Sequence, residues 1–392
     1  MAPLRLPILL AVWPMLLAGA PLPAGVHAAV GAEPFTSGSV AKPASEEERR
    51  AWDQAAELRE IIARGGVVYD DRDLTAYVQG VMDRLYPEFK GTIRVTLLKA
   101  PHLNAFAVPD GNIYVNIGLL ARFQNEAQLA TVLAHEGTHF THRHGYLGSK
   151  SLKNNAALAT FGAMLGVPIL PQLIAVSSMF GYSRELETEA DQVGYRRLLE
   201  AGYDVRESSK VFEHLMHEVK AEGIEEPFFF STHPKLKDRF DNMTRLSAKA
   251  VGGGDGAQRA GYSRVMQQAR IDTLENMLSM GRAKQALIVL ENEDNLRELP
   301  AHAAYWLGEA YRRRGEKDDI KKAEAAYRRA IEAAPEFAAS HRALVVLLLK
   351  DGRKAEAAAS LERYLALAPD AKDRKYVESY LGMARQGEGT KP

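Results

Sequence analysis

The chain has 392 residues, more than one hydrophobic core usually organises, so at least two domains are expected. Its 50 basic and 50 acidic residues balance, which argues against a nucleic-acid partner and against a polybasic membrane anchor. The sequence contains no cysteine, which excludes disulfide bonds and thiolate metal sites but not secretion.

The first 28 residues have the pattern of a signal peptide. Arg5 supplies a basic start, Leu6 to Leu17 is apolar apart from two prolines, and Val26-His27-Ala28 resembles a cleavage site. The alternative is an uncleaved anchor helix, which the prolines disfavour. Residues 29–45 are small and proline-containing, and we expect them to be disordered.

The next segment mixes helices with a few strands. Residues 46–90 are predicted as helices, and Thr92 to Leu98 alternates as a strand. Two further strands, 104–108 and 112–116, flank a Pro-Asp-Gly turn and predict a hairpin. A helix then begins at the N-cap Asn125 and runs to about His144, with Gly145 as its C-cap.

Residues 154–183 carry no charged side chain. Pro168 and Pro171 divide the stretch into halves too short to cross a bilayer, so we expect a packed or membrane-surface helical hairpin over the active site instead of a membrane span. This hairpin offers a peripheral membrane contact. A helix from Ser183 to Ala201 and a short helix ending near Lys249 are predicted to follow.

A glycine-rich linker at 251–261 marks a domain boundary. Beyond it the chain repeats, because Gly281, Gly315 and Gly352 lie 34 and 37 residues apart and Pro335 and Pro369 lie 34 apart. A 34-residue period with these small and aromatic positions resembles tetratricopeptide repeats. An unrelated helical bundle is the alternative.

His135, Glu136 and His139 carry the clearest chemistry. On a helix, His135 and His139 project from one face, one turn apart, and can bind one zinc ion through imidazole nitrogens. Glu136 lies about 100° round the helix and is placed to take a proton from water at the metal. The alternative, a surface helix with scattered histidines, conflicts with the apolar run of Leu129, Val132 and Leu133.

A third protein ligand is sought in the acidic run at 185–191. Helical geometry puts Glu187 and Asp191 on a flank with a glycine and a leucine, where another helix can approach closely. Glu185 and Glu189 lie on the opposite flank, which is polar and predicted to be solvated. We expect Glu187 to bind the metal and Asp191 to accept the N–H of a ligand histidine, although Glu189 remains an alternative ligand.

Together these residues resemble the HExxH…ExxxD pattern of peptidase family forty-eight of the zinc metallopeptidases. The resemblance extends to Asn104-Ala-Phe-Ala-Val-Pro, Arg143-His144-Gly145 and Thr232-His233-Pro234, and it covers about residues 50–250. It implies one zinc ion per chain held by His135, His139 and Glu187, with Glu136 as the base. The signal peptide and the repeats resemble the periplasmic beta-barrel assembly-enhancing proteases within that family.

The resemblance implies roles for further residues. A histidine at the place of His233 can act as a fourth ligand that silences the enzyme, or it can stabilise the oxyanion; a structural role before Pro234 is the alternative. Gly137 departs from the family, which usually has a bulky apolar residue there, and this predicts a lost packing group. His142 and His144 are interpreted as surface or packing residues.

These observations predict an α+β, mainly α chain. A zincin-type metalloprotease domain with a small β-sheet would span 46–250, and an all-α tetratricopeptide-like domain would span 262–385. The expected function is a periplasmic zinc endopeptidase for unfolded or misassembled cell-envelope proteins, whose repeats bind partners such as the outer-membrane barrel assembly machinery. Substrate would pair with the strand at 112–116.

Two other functions are alternatives to the endopeptidase. The main alternative is a proteolytically silent chaperone or scaffold that acts through the repeats, although such a protein would normally have lost Glu136 or a ligand. A membrane-embedded prenyl protease is disfavoured because long apolar spans are missing.

Overall fold

The computed structural model describes residues 33–151, 182–222, 233, 236–248 and 259–386. The predicted signal peptide, all but the last two residues of the uncharged segment 154–183 and most of the glycine-rich linker lie outside these ranges. Throughout the described ranges the chain is mainly helical.

Helices make up most of the N-terminal part. They are α1 (Glu46–Arg64), α2 (Arg72–Leu85), α3 (Ile117–Leu120), α4 (Glu126–Thr141), α5 (His144–Ser151), α6 (Arg184–Glu200), α7 (Glu207–Glu222) and α8 (Leu236–Ser247). Helix α4 is buried along its whole length and packs against α2, α6, α7 and the sheet. It is therefore the central element around which this part is built.

The C-terminal part is entirely helical in the described residues. Its helices are α9 (Arg259–Ser279), α10 (Ala283–Leu290), α11 (Glu293–Glu298), α12 (Ala304–Arg314), α13 (Asp319–Ala333), α14 (Ala338–Lys350), α15 (Lys354–Leu367) and α16 (Arg374–Gln386). Helices α12 and α13 pack as one neighbouring pair, and α14 and α15 pack as the next. Gly315 and Gly352 end the first helix of each pair with positive φ angles of 67° and 73°.

A three-stranded sheet covers one side of α4. Its strands are β1 (Arg94–Leu98), β2 (Ala105–Ala107) and β3 (Asn112–Asn116), in the order β1-β3-β2. The predicted hairpin is confirmed, because β2 pairs antiparallel with β3 and Phe106 lies opposite Tyr114. Strand β1 pairs parallel with the other edge of β3. Since β3 is the central strand, the prediction that substrate pairs with 112–116 is wrong: both of its edges are already hydrogen-bonded.

Residues 33–45, the described part of the segment 29–45 that the sequence predicts to be disordered, make specific contacts with the rest of the chain. Phe35 packs against the rings of Trp52 and Phe140, at centroid distances of 6.4 and 5.7 Å. The Phe35 backbone N–H donates to the Thr141 carbonyl at 2.8 Å. An aromatic anchor in the core and a backbone hydrogen bond together offset the entropy of ordering this short segment.

The end of α4 also differs from the prediction. The helix ends at Thr141, and Gly145 lies inside α5 and is not the C-cap. Arg143 adopts φ of 59° between the two helices, an uncommon conformation for a residue with a side chain. Its guanidinium pairs with the buried Glu48, with Nε at 2.8 Å from Oε1, and lies 5.2 Å from the Phe35 ring. These contacts hold the turn that the sequence would assign to glycine.

Helix α9 is shared by two cores. Tyr262 and Met266 are buried in the core formed by α2, α4 and the sheet, and the Tyr262 hydroxyl donates to the Leu120 carbonyl at 2.7 Å. Leu274 and Met277, two turns later, belong to the next core, formed with α10 and α12. The change of core therefore lies inside α9 and not at the glycine-rich linker.

The coarse fold class predicted from the sequence is confirmed, since the chain is mainly helical with one small sheet. Within the described ranges we find no helix whose length and apolar character would allow it to cross a bilayer.

Gly137, within α4, is surrounded by one aromatic ring. A Cβ atom there would lie 2.3 Å from Cε2 of Tyr86. The Tyr86 hydroxyl donates to the Ala134 carbonyl at 2.5 Å and lies 2.9 Å from Oγ1 of Thr138. The expectation that Gly137 removes a packing group is thus corrected, because the Tyr86 ring fills the space of the missing side chain.

We predict opposite effects for two glycine-to-alanine changes in helices. Gly137→Ala should destabilise the protein by ~1–3 kcal/mol, because the added methyl group overpacks against Tyr86. Gly80→Ala in α2 should stabilise by ~0.5–1 kcal/mol, because no described atom outside the adjoining residues and the backbone of α2 lies within 4 Å of the new Cβ. Urea unfolding of both variants measures the change in the free energy of unfolding. Equal changes in the two variants would contradict the packing account.

Candidate metal centre

Helix α4 places the two histidines of the motif on one buried face. It begins at the N-cap Asn125, whose side chain accepts the Gln128 backbone N–H at 3.1 Å. Ten residues later the imidazoles of His135 and His139 emerge one turn apart, with their Nε2 atoms 3.0 Å from each other. Both Nε2 atoms therefore point to the same small volume.

Helix α6 brings the carboxylates to this volume because it approaches α4 closely. A Cβ atom at Gly194 would lie 3.2 Å from the backbone nitrogen of His135, so only a very small residue allows this spacing. Glu187 and Asp191 share the flank of Gly194 and are 2% exposed. Glu185 and Glu189, on the other flank, are exposed. The helix faces are arranged as the sequence pattern predicts.

His135, His139, Glu187 and His233 form one group of buried donor atoms. One donor atom from each lies within 4.8 Å of every other. Oε1 of Glu187 is 3.4 Å from Nε2 of His139 and 2.9 Å from Nδ1 of His233. The structure thus brings together His135, His139, Glu187 and His233, and the alternative ligand Glu189 lies outside this group.

Glu136 and Asp191 border this group on different sides. Nε2 of His233 lies 3.5 Å from Oε1 of Glu136, which is completely buried. Oδ1 of Asp191 lies 3.0 Å from Nδ1 of His135, the ring nitrogen on the side away from the cluster. Asp191 can therefore fix the tautomer of His135 that leaves Nε2 free for a metal.

Arg239 of α8 links the two carboxylates of α6. Its Nε and Nη2 donate to both oxygens of Asp191 at 3.0 and 2.7 Å, and its Nη1 lies 3.0 Å from Oε2 of Glu187. Nη2 is also 3.1 Å from Nδ1 of His135. A fully buried guanidinium thus provides the fixed positive charge that two buried carboxylates need.

The charged side chains of the cluster shift one another's pKa values. Burial raises the pKa of Glu187, but the charges of His233 and Arg239 outweigh burial, so the pKa falls. Burial likewise raises the pKa of Asp191, but Arg239 and His135 outweigh it, so this pKa also falls. Burial and Arg239 lower the pKa of His135, but Glu187 and Asp191 more than compensate, and that pKa rises to about 9. Burial and the neighbouring His135 hold the pKa of His139 well below its usual value.

The donor set fits a divalent metal ion. Both carboxylate oxygens of Glu136 are buried without a hydrogen-bond partner among the described residues. Imidazoles bind a metal in their neutral form, so in a metal-bound site Arg239 would be the fixed positive charge beside Glu187 and Asp191, and a divalent cation would supply the further positive charge. Imidazole nitrogens and a carboxylate oxygen are the ligands that zinc favours.

Three residues of the site were missed or misjudged from the sequence. No sequence motif points to Arg239, which lies on the buried face of the short helix α8. His144, interpreted as a surface or packing residue, is fully buried, and its Nδ1 lies 2.9 Å from Nδ1 of His139. Tyr182 stacks on the His139 ring at 3.6 Å and donates its hydroxyl to the Ala107 carbonyl at 3.3 Å. Burial lowers the pKa of His144 to about 3 and raises that of Tyr182 well above its usual value.

We predict that Arg239→Gln destabilises the metal-free protein more than the zinc-loaded protein. Without the guanidinium, Glu187 and Asp191 become buried carboxylates lacking a partner charge, a loss of ~3–5 kcal/mol that a bound divalent cation partly offsets. Urea unfolding with and without zinc measures the difference. Arg245→Gln, on an exposed position of the same helix, is the control. An equal loss in both metal states would contradict the charge-balancing role.

Comparison with known proteins finds similarity in the part of the chain that contains this site. Residues 69–247 match the model of peptidase family M48. The mitochondrial metalloendopeptidase OMA1 of Arabidopsis thaliana is 36% identical over 149 residues, which cover 37% of this chain and 30% of that protein. OMA1 of Schizosaccharomyces pombe is 30% identical over 186 residues, or 44% of this chain and 54% of that protein.

A second kind of relative is bacterial. The beta-barrel assembly-enhancing protease of Escherichia coli O157:H7 is 28% identical over 186 residues, which cover 43% of this chain and 38% of that protein. In all three comparisons the matched region is roughly half or less of the relative's own length. The similarity therefore concerns the domain that contains the metal centre.

Proposed function

We propose that the protein is a zinc-dependent endopeptidase of peptidase family M48, whose model matches residues 69–247 of this chain. Its substrates would be unfolded or misassembled proteins of the cell envelope. The donor set of His135, His139 and Glu187 would hold one zinc ion per chain.

The observation that carries this proposal is the state of Glu136. Its carboxylate is completely buried beside the donor cluster, and neither oxygen has a hydrogen-bond partner in the described part of the chain. A buried carboxylate without a hydrogen-bond partner is costly, and its close polar neighbour is His233 Nε2 at 3.5 Å, itself a member of the donor cluster. A general base, in contrast, must keep its oxygens available for the proton of a reacting water.

The residues of the site divide the work of peptide hydrolysis. Zinc, when bound, would polarise the scissile carbonyl and lower the pKa of water. Glu136 would take the proton of the attacking water and pass it to the leaving amine. Asp191 and Arg239 would hold His135 in the ligating tautomer, since Asp191 lies 3.0 Å from its Nδ1.

We propose that an extended substrate adds to the edge strand β2 and not to the central strand β3. The backbone N–H and C=O of Phe106 point toward β3, so the N–H and C=O groups of Ala105 and Ala107 point away from β3. The Ala107 carbonyl accepts the Tyr182 hydroxyl, which lies over His139, and this carbonyl is therefore at the metal centre. Substrate pairing there would release the Tyr182 hydroxyl.

His233 is proposed as a fourth donor that keeps the site latent. Its Nδ1 lies 2.9 Å from Oε1 of Glu187 and 3.3 Å from Nε2 of His135, which is the spacing of neighbouring ligand atoms around one ion. If His233 completes the tetrahedron, no coordination position is left for water. Activation would then require His233 to move.

The C-terminal helices are proposed to be tetratricopeptide-like repeats that bind partners or substrate. The pairs α12–α13 and α14–α15 support this, as do the left-handed glycines at equivalent positions. At Gly308 a Cβ atom would lie 2.4 Å from the Tyr327 ring, so a small residue and an aromatic residue interlock within the first pair. Stacked helix pairs form extended concave binding surfaces.

The location and the partners belong to the same proposal. The signal-peptide pattern of the first 28 residues supports export to the periplasm. The similarity to a beta-barrel assembly-enhancing protease supports a chaperone-like role in outer-membrane protein assembly, with the barrel assembly machinery as partner. The similarity to mitochondrial metalloendopeptidases supports the peptidase activity alone.

We predict that Glu136→Gln retains zinc and fold but lowers cleavage of an unfolded protein by ~10²–10⁴-fold, because an amide cannot accept the proton of water. Glu185→Gln, on the exposed flank of α6, should cleave at the wild-type rate. Zinc analysis and a casein-degradation assay of both variants make the comparison. If Glu136→Gln cleaves casein at the wild-type rate, Glu136 is not the base. If neither the wild type nor His233→Ala cleaves casein, the silent scaffold is favoured.

His233→Ala distinguishes the two roles of this histidine by the sign of its effect. Latency predicts that the variant cleaves faster than the wild type at equal zinc content, because a coordination position becomes available to water. Oxyanion stabilisation predicts a ~10- to 1000-fold slower turnover. Basal rates at matched zinc content measure the sign, with His142→Ala as a control, and slower cleavage would end the latency proposal.

A further inference from the structure

We propose that His144 and Glu189 form a hydrogen-bonded relay that holds the ligand His139 in its metal-binding orientation. Neither residue belongs to the donor group. The proposal rests on the metal-binding part of the proposed function and does not depend on peptidase activity.

The contacts join three side chains from three helices, α4, α5 and α6. Nδ1 of His139 lies 2.9 Å from Nδ1 of His144, and Nε2 of His144 lies 3.2 Å from Oε2 of Glu189. His139 and His144 are fully buried, whereas the side chain of Glu189 is 49% exposed. The relay thus runs from the donor cluster to the surface of α6.

The direction of the hydrogen bonds follows from the donor cluster. Nε2 of His139 faces Glu187 and His135, so this nitrogen is the one that a metal would take. Nδ1 of His139 must then carry the proton, and this N–H donates a hydrogen bond to Nδ1 of His144. His144 in turn carries its proton on Nε2 and donates to Glu189. Every nitrogen in the relay has a partner of the correct kind only when His139 is in the ligating tautomer.

The backbone is bent to make this contact. In an unbroken helix, residues five apart lie about 140° apart around the axis, so His144 would point away from His139. The left-handed conformation of Arg143, with φ of 59°, interrupts the helix and turns His144 back. The buried Glu48 pairs with Arg143 and stabilises this conformation. An uncommon backbone conformation beside a functional site is a sign that the local geometry serves that site.

The two ligand histidines of α4 are therefore supported in different ways. His135 is supported by Asp191, which is buried and clamped by Arg239. His139 is supported by a second histidine, whose own partner Glu189 reaches solvent. His144 is the member of the relay that nothing else replaces, because water reaches Glu189 but not His144.

The test is the zinc affinity of wild type, His144→Leu and His144→Asn, measured by competition with a chromogenic chelator. His144→Leu removes the acceptor of His139 Nδ1–H and should weaken zinc binding by ~10–100-fold. His144→Asn places an amide oxygen near the position of Nδ1 and should restore most of the affinity. Glu189→Ala should weaken binding less than His144→Leu but more than Glu185→Ala, the matched exposed control on the same helix.

A spectroscopic readout separates positioning from mere packing. In zinc-loaded protein labelled with ¹⁵N-histidine, the Nδ1–H of His139 should give a slowly exchanging proton resonance that His144→Asn keeps and His144→Leu loses. If folded His144→Leu keeps wild-type zinc affinity and this resonance, the relay is refuted. If His144→Leu does not fold, equal affinities of Glu189→Ala and Glu185→Ala refute it. A wild type that binds no zinc would instead refute the proposed function.

Discussion

The site depends on the compensation of buried negative charge. Glu136, Glu187 and Asp191 are each 2% exposed or less, and burying one carboxylate alone would cost several kcal/mol. Arg239 supplies one fixed positive charge, and His135 has its pKa raised to about 9 because the two carboxylates of α6 outweigh its burial and Arg239. The arrangement has the donor atoms and the charges that a divalent cation would require: a hydrogen-bonded framework holds the donor side chains and leaves the oxygens of Glu136 without a hydrogen-bond partner among the described residues.

Two close contacts in the fold bring these side chains together: α6 against α4, and His144 against His139. Gly194 lets α6 pass against α4, with a prospective Cβ at 3.2 Å from the His135 nitrogen, and so Glu187 and Asp191 reach the histidines. The turn at Arg143 then directs His144 onto His139 from the other side. Each approach requires a backbone feature of a single residue, so small changes at Gly194 or Arg143 are expected to act on the metal centre without touching a ligand.

Much of the site could be predicted from the sequence, because helical periodicity decides which side chains share a face. His135 and His139 follow from their spacing of four, and the flank of Gly194 distinguishes Glu187 from Glu189. Periodicity fails where the chain leaves the helix: the turn at Arg143 directs His144 onto His139, and a helical pattern continued through this turn assigns His144 only a surface or packing role. The strand order β1-β3-β2 was equally inaccessible, since a hairpin signal does not say which strand a third one joins. Arg239 is brought in by tertiary packing alone.

The central claim is that these residues bind one divalent metal ion, and calorimetric titration of zinc into the metal-free protein tests it most directly. The account predicts saturation at one equivalent for the wild type and for Glu185→Ala, whose side chain is exposed. It predicts much weaker binding for Glu187→Ala, because a buried ligand is lost and the charge of the site falls. Absence of binding by the wild type, or undiminished binding by Glu187→Ala, would contradict the account.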